Sequence, residues 1–398
     1  MIQPTIARTK KRLTLLFTLD YEIHGNGEGC AAELMVSPTA RILDLFDGFG
    51  AKLTIMADTV EIMKFREHPE YSDQSPGVYG LIENQLKDAI RRGHDVQLHL
   101  HPAYARASYS GGRWVLDFSE YDLARLPYER IYGLIGEGKR FLEDLLGPVR
   151  PGYRCLAFRA ANWSMSPSWN IIRALLANGI GIDTSVFKYG KRDGLVRFDY
   201  SKAENPFVPW PADPSEICRR DDAGELFEFP IYCEARPLWA FLSANRFRRL
   251  YGSWRHRFRD QAWPPEGGQA GRAAGDGAGG SRGLAAVAVR KFSATFKKHA
   301  WKLDFSQCSG RQMMSAVCRA GARHEDAATD LPIVCIGHSK SYNSLNERQL
   351  MKFLRTIANH PDEYGFGTFG EFDLESFRRR PAGAANPSRD AAGGMSAP

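Results

Sequence analysis

No run of about 18 or more apolar residues occurs in the sequence, so no membrane-spanning helix is expected. The N-terminal stretch MIQPTIARTKKRLTLLFTLDYE lacks the marks of a secretory leader. Its apolar run is short and passes into acidic residues with no small-residue cleavage site. No CxxC pair occurs among the seven cysteines, an odd number scattered along the chain. That argues for reduced, mostly buried thiols and against a disulfide framework. Internal repeats are lacking, as are helix-turn-helix, zinc-finger and RNA-recognition signatures, so no nucleic-acid partner is expected. These absences together point to a cytoplasmic protein that meets a membrane, if at all, peripherally.

What is present suits a globular enzyme. The chain has 398 residues, 43% hydrophobic and 25% charged, against about 250 residues for a (β/α) barrel without insertions. Short apolar runs rich in branched residues (Leu13–Leu19, Lys52–Ala57, Asp95–His101, Arg154–Phe158, Leu226–Cys233, Ile333–Gly337) read as strands. Between them lie stretches with helical periodicity: Pro38–Phe49 with Ser37 as its cap, Gly80–Arg92, Pro127–Leu146, Pro167–Asn178 and Glu347–Asn359. Strand–helix alternation of this kind predicts an α/β fold with a parallel sheet, open or closed.

Two segments break the alternation. Residues 264–283 are dominated by Gly, Ala and Arg without an apolar period, and residues 379–398 have the same character; a linker and a disordered tail are expected. Before the linker, PLWAFLSANRFRRLYGSWRHRFR alternates aromatic and basic residues at roughly helical spacing. Such a helix packs on the body of the protein or lies in a membrane interface, which makes residues 239–259 the candidate peripheral contact. The net charge of +7 is concentrated: Arg246, Arg248, Arg249, Arg255 and Arg257 in one segment, Lys291, Lys297, Lys298 and Lys302 in another, and Arg378, Arg379 and Arg380 near the end. Basic patches of this kind draw phosphates and anionic lipid surfaces. The expected organisation is a barrel from residues 1–236 and 301–378, a basic aromatic insertion at 237–300, and a tail at 379–398.

Five short clusters carry chemistry. In Thr18-Leu19-Asp20-Tyr21-Glu22, two carboxylates follow an apolar strand and, two residues apart, share one face. They can hold a cation or supply a general base. His99 and His101 share a strand face in the same way, close enough to reach one metal ion; imidazole with carboxylate suits zinc first, then cobalt, nickel or iron. Arg159, just past the fourth strand, can orient a carboxylate. Asp183 lies in Gly-Ile-Asp-Thr-Ser, and His338 follows the last apolar strand, where a general acid can sit.

In this order and spacing the clusters resemble the polysaccharide deacetylase family, the NodB-homology or carbohydrate esterase 4 fold, over roughly residues 13–374. The resemblance implies a single (β/α) barrel, distorted or seven-stranded, and a metal-dependent hydrolase that removes an N-acetyl group from a carbohydrate. The family's Thr-Phe-Asp-Asp motif reads Thr18-Leu19-Asp20-Tyr21-Glu22 here, and its Gly-His-Glu stretch and histidine pair read Gly93-His94-Asp95 and His99-Leu100-His101. Tyr21 stands where the family has its metal Asp, so Glu22, or Asp20 itself, is expected to take the ligand's place. The family's second histidine falls at Ala103, so His101 is expected to substitute.

The resemblance thus implies a divalent ion, zinc by default with Co2+ or Ni2+ as alternatives, held by Glu22, His99 and His101. Asp20 is the implied base, oriented by Arg159; Asp183 matches the family's fourth motif and is an implied catalytic residue, and His338 is the implied acid. Tyr104, Trp163 and Trp210 are candidates to stack on sugar rings. A cytoplasmic enzyme would meet nucleotide-linked or lipid-linked sugars, whose phosphates suit the basic segments. Two other readings remain on this fold: metal-independent hydrolysis of a small amide, suggested by the missing second family histidine, and a non-catalytic carbohydrate- or lipid-binding protein.

Overall fold

A computed structural model of the chain describes residues 13–71, 77–244, 246–247, 297–323 and 330–379. The expected linker, most of the aromatic-basic segment and all but the first residue of the expected tail lie outside the described residues.

The first strand, β1 (Leu13–Tyr21), is buried almost throughout, as a strand covered on both faces must be. It is followed by β2 (Leu53–Asp58), β3 (Asp95–Leu100), β4 (Ala157–Ala160) and β5 (Ile182–Asp183). Then come β6 (Trp210–Asp213), β7 (Glu216–Arg220), β8 (Phe227–Glu228), β9 (Cys233–Pro237), β10 (Lys298–Lys302), β11 (Leu331–His338) and β12 (Tyr364–Phe366).

The main sheet runs β7-β6-β8-β5-β4-β3-β2-β1-β11, and β12 also pairs with β1. From β8 to β11 every pairing is parallel, which makes seven parallel strands; β6 and β7 add an antiparallel edge. The sheet curls until the chain beyond β8 meets β11 through one parallel bridge, Ile231 to Val334. The result is the distorted, seven-stranded (β/α) barrel that the sequence leads one to expect.

Helices α1 (Ser37–Asp47), α2 (Thr59–Glu67), α3 (Gly77–Arg91), α4 (Tyr128–Leu146), α5 (Trp169–Ala177), α6 (Gly310–Arg323) and α7 (Ser344–Ala358) connect and cover the strands. Two differ from expectation. Ser37 is not a cap: a π-helical turn over Ala32–Val36 leads directly into α1, and Ser37 already has helical angles. Helix α2 was not legible, because its start signal, Asp58, is also the last residue of a buried strand; the Asp58 carboxylate accepts the Glu61 N–H and caps the helix.

Strands β9 and β10 form an antiparallel hairpin with Pro237 opposite Lys298, so the ends of the expected insertion meet. All seven cysteines are free thiols, five of them buried. Among the described residues no helix is long and apolar enough to cross a membrane.

Candidate active site

Parallel strands deliver their carboxyl ends to one rim, and five adjacent strands place polar side chains there. Register fixes their order: Asp20 on β1 is opposite His338 on β11, Asp58 on β2 is opposite His99 on β3, and His99 is opposite Arg159 on β4. Glu22 and His101 follow β1 and β3 by a residue, on the same faces as Asp20 and His99. All except His338 are fully or nearly fully buried.

Arg159 organises one half of the cluster. Its guanidinium donates to Asp20 Oδ1 at 2.6 Å, to Thr18 Oγ1 at 2.9 Å and to the Thr184 carbonyl at 2.9 Å. The His338 Nε2 lies 3.4 Å from the other Asp20 oxygen. Burial opposes ionisation of Asp20, but Arg159, joined by His338 and His99 once these are protonated, outweighs it and holds the carboxyl below its ordinary value. Burial lowers the His338 pKa, against the pull of Asp20, so its resting imidazole is neutral at pH 7. Gly337 permits this placement: a Cβ there would lie 2.2 Å from the Phe305 ring.

Glu22, Asp58, His99 and His101 form the other half. One donor atom from each lies within 4.8 Å of all the others. Glu22 Oε2 is 3.3 Å from His99 Nε2 and 3.1 Å from His101 Nδ1. Ligand atoms of a tetrahedral ion with bonds of about 2.0–2.1 Å stand roughly 3.3–3.4 Å apart, so this spacing needs little change. His99 Nδ1 donates to the Arg159 carbonyl at 2.8 Å, which fixes the ring and turns Nε2 inward. Asp58 Oδ2 is 2.6 Å from His101 Nδ1, a hydrogen-bond length, so a proton joins the two without a metal, and a bound cation would take that proton's place between them.

The electrostatics fit a cation. Burial works against a charged His99, yet Glu22, Asp20 and Asp58 bring its pKa up to about 9. Burial likewise opposes ionised Glu22, but Lys340 and the two histidines hold it well below the usual carboxylate range. The site therefore gathers positive charge where a divalent ion would supply it. Two buried imidazoles and two buried carboxylates are a donor set that zinc, cobalt or nickel accepts. Asp20 is outside the four-donor group, and Glu22 is the candidate donor from the β1 side.

Three side chains escaped the sequence reading. Asp58 is the last residue of β2, opposite His99 and two residues past Met56, which is opposite Asp20; extending the Lys52–Ala57 strand by one residue would have found it. Lys340, two residues past His338, places its ammonium 3.0 Å from Glu22 Oε1. Glu61 accepts the Ile23 N–H at 2.9 Å, and burial together with the Asp58 charge raises its pKa well above the usual carboxylate range.

The remaining expected residues are placed differently. Asp183 is opposite Phe158 in register, on the sheet face away from the Arg159 side chain, and bonds Ser185 Oγ at 2.8 Å. Across β8 it faces Glu228. The structure does not bring Asp183 to Asp20. Trp210 cannot stack on a sugar, a correction to expectation: its indole is 1% exposed and donates inside the protein to the Ile217 carbonyl. Tyr104, also 1% exposed, is packed against Trp114 and is corrected likewise. Trp163 alone of the three is at the rim, its ring edge-on to His338 with centroids 5.9 Å apart.

No protein-family model and no curated protein sequence matches the chain. Solved structures do. A protein from Parabacteroides distasonis, described as a candidate glycoside hydrolase/deacetylase, superposes with a TM-score of 0.53 at 11% identity, over 93% of this chain and 72% of that one. Proteins described as candidate polysaccharide deacetylases from Mycobacterium smegmatis and Pseudomonas aeruginosa PAO1 align at 13% identity and TM-scores of 0.44, covering 92% and 93% of this chain and 91% and 90% of theirs. The likeness to the Parabacteroides distasonis structure shows the fold, a (β/α) barrel, and the fold alone.

Proposed function

We propose that this protein is a metal-dependent hydrolase that removes an N-acetyl group from a carbohydrate. The observation that carries the reading is the meeting, on one barrel rim, of the Asp20–Arg159–His338 group with the Glu22–Asp58–His99–His101 donor set. The four donors favour this reading over a metal-independent amide hydrolase. The buried Arg159–Asp20 pair and the neutral His338 beside it favour an enzyme over a binding protein, since perturbed titratable groups in close geometric relation are costly to keep without use.

Glu22, His99 and His101, with Asp58, would hold a divalent cation, which would supply carbonyl polarisation and an acidified water. The chain's own residues do the rest. Asp20, kept ionised and aimed by Arg159, accepts the proton of the attacking water. His338, 3.4 Å from the free Asp20 oxygen, relays a proton to the departing nitrogen. This route needs no charge on the resting imidazole, in keeping with its lowered pKa. Acetate and an amino sugar are the products.

The substrate we propose is a nucleotide- or lipid-linked sugar in the cytoplasm. Leu238, Trp239, Leu242 and Phe247 expose 42–57% of their surface next to Arg246, which supports peripheral contact with a lipid surface. Incubation of the zinc-loaded protein with N-acetylated sugars tests the function. Acetate released by wild type and not by Asp20→Asn supports it; no release from any sugar, with metal bound, rejects it.

A further inference from the structure

Lys302 is the final residue of β10 and ends the hairpin with β9. Its ammonium lies over two rings, 3.2 Å from the Trp163 centroid and 4.5 Å from that of Phe187. The aromatic faces give part of what a desolvated cation needs. Among the described residues no carboxylate stands within ion-pair distance of the Lys302 ammonium, and none donates or accepts a hydrogen bond there. A half-buried ammonium left without an oxygen partner is costly.

Its surroundings place it on the candidate active site. Trp163 touches His338 edge-on, and Asp20 and Arg159 both act electrostatically on Lys302. Burial brings the Lys302 pKa down to about 8, against the pull of Asp304, so the group is still mainly charged at pH 7. The indole beneath it is held by a strained turn: Asn162 and Trp163 have φ of 54° and 59°, a region bulky residues rarely adopt. The turn is pinned by Arg192 and Tyr121 on Asn162 Oδ1, at 3.0 and 3.3 Å, and by the Tyr200 hydroxyl on the Trp163 carbonyl at 2.6 Å. Strain persists where surrounding contacts impose it, and it clusters at ligand sites.

We infer that Lys302, seated on Trp163 and Phe187, is the substrate-reading cation of this site and takes an anionic oxygen, phosphoester or carboxylate, carried by the sugar. The inference rests on the deacetylase reading and deepens it. The other lysine and arginine of the rim are engaged: Arg159 is saturated within the fold and Lys340 is paired with Glu22. A lysine offers a point charge, which suits phosphate and carboxylate oxygens without demanding the planar fit of arginine.

Calorimetric titration of the zinc-loaded full chain tests it, with N-acetylglucosamine, N-acetylglucosamine 1-phosphate, N-acetylmuramic acid and inorganic phosphate as probes. The wild type is expected to bind at least one charged sugar about tenfold or more tightly than the neutral one, as a charge-assisted hydrogen bond implies. The phosphate and carboxylate arms identify the anion. K302M is expected to bind all three sugars alike, and K302R to recover part of the preference. K302Q substitutes for K302M should the latter not fold.

Equal binding of neutral and charged sugars by wild type overturns the inference, as does a preference that survives in K302M, which would place the anion elsewhere. If no sugar binds, the deacetylase reading fails, and inorganic phosphate then decides for Lys302: binding lost in K302M supports an anion site there, and binding retained overturns it.

Discussion

Asp58 holds His101 by two bonds at once: Oδ2 stands 2.6 Å from the ring Nδ1, and Oδ1 accepts the His101 backbone N–H at 3.1 Å. The same Oδ1 caps α2. One buried carboxylate therefore joins the end of β2, the start of a helix and the second imidazole of the donor cluster. Asp58→Asn keeps the shape and loses the charge. Its zinc affinity is expected to fall by about 10–100-fold, in line with the loss of a partner that orients a ligand. Competition with a chromogenic chelator measures this, and an unchanged affinity would remove Asp58 from the site.

Asp20 and Glu22 share a strand face but have different surroundings. Arg159 and His338 flank the first; Lys340 and the two imidazoles surround the second. Asp20→Asn is accordingly expected to lower kcat by about 10²–10⁴-fold, the usual weight of a general base, with zinc content retained. Loss of zinc from this variant would mean that Asp20 rather than Glu22 is the ligand.

Asp183 and Glu228 face each other across β5 and β8, both buried. Burial raises the pKa of both, and for Glu228 the charge of Asp183 adds to it. A carboxyl raised in the folded state gives stability that is complete below its unfolded value, about 4.3, and that is lost as pH rises toward the folded value. Glu228→Gln keeps an oxygen for the Val186 N–H, which Glu228 Oε1 accepts at 3.0 Å. The variant is expected to melt higher than wild type at pH 8, by about 2–4 °C per kcal/mol recovered, with the gap closing near pH 4. Thermal melts across this range check it, and a variant less stable at pH 8 contradicts it.

The sequence made legible what depends on strand periodicity. Asp20 with Glu22, and His99 with His101, are two residues apart at strand ends, so their shared faces follow from the pleat, and parallel alternation puts strand ends at one rim. Arg159 and His338 were found by the same rule. What escaped depends on neighbours remote in sequence. Asp58 resembles an ordinary helix cap. Lys302 looks like one more lysine in a basic run until the hairpin sets it on Trp163, 139 positions earlier in the chain. Trp210 and Tyr104 were misjudged because aromatic type does not say whether a ring faces a cleft or a core.

The proposed chemistry depends on the metal centre, and elemental analysis of purified wild type beside His99→Ala tests that centre most directly. About one equivalent of zinc, cobalt or nickel in wild type, absent from the variant, is the expected result. No metal in wild type after reloading with zinc, or equal metal in both proteins, would contradict it.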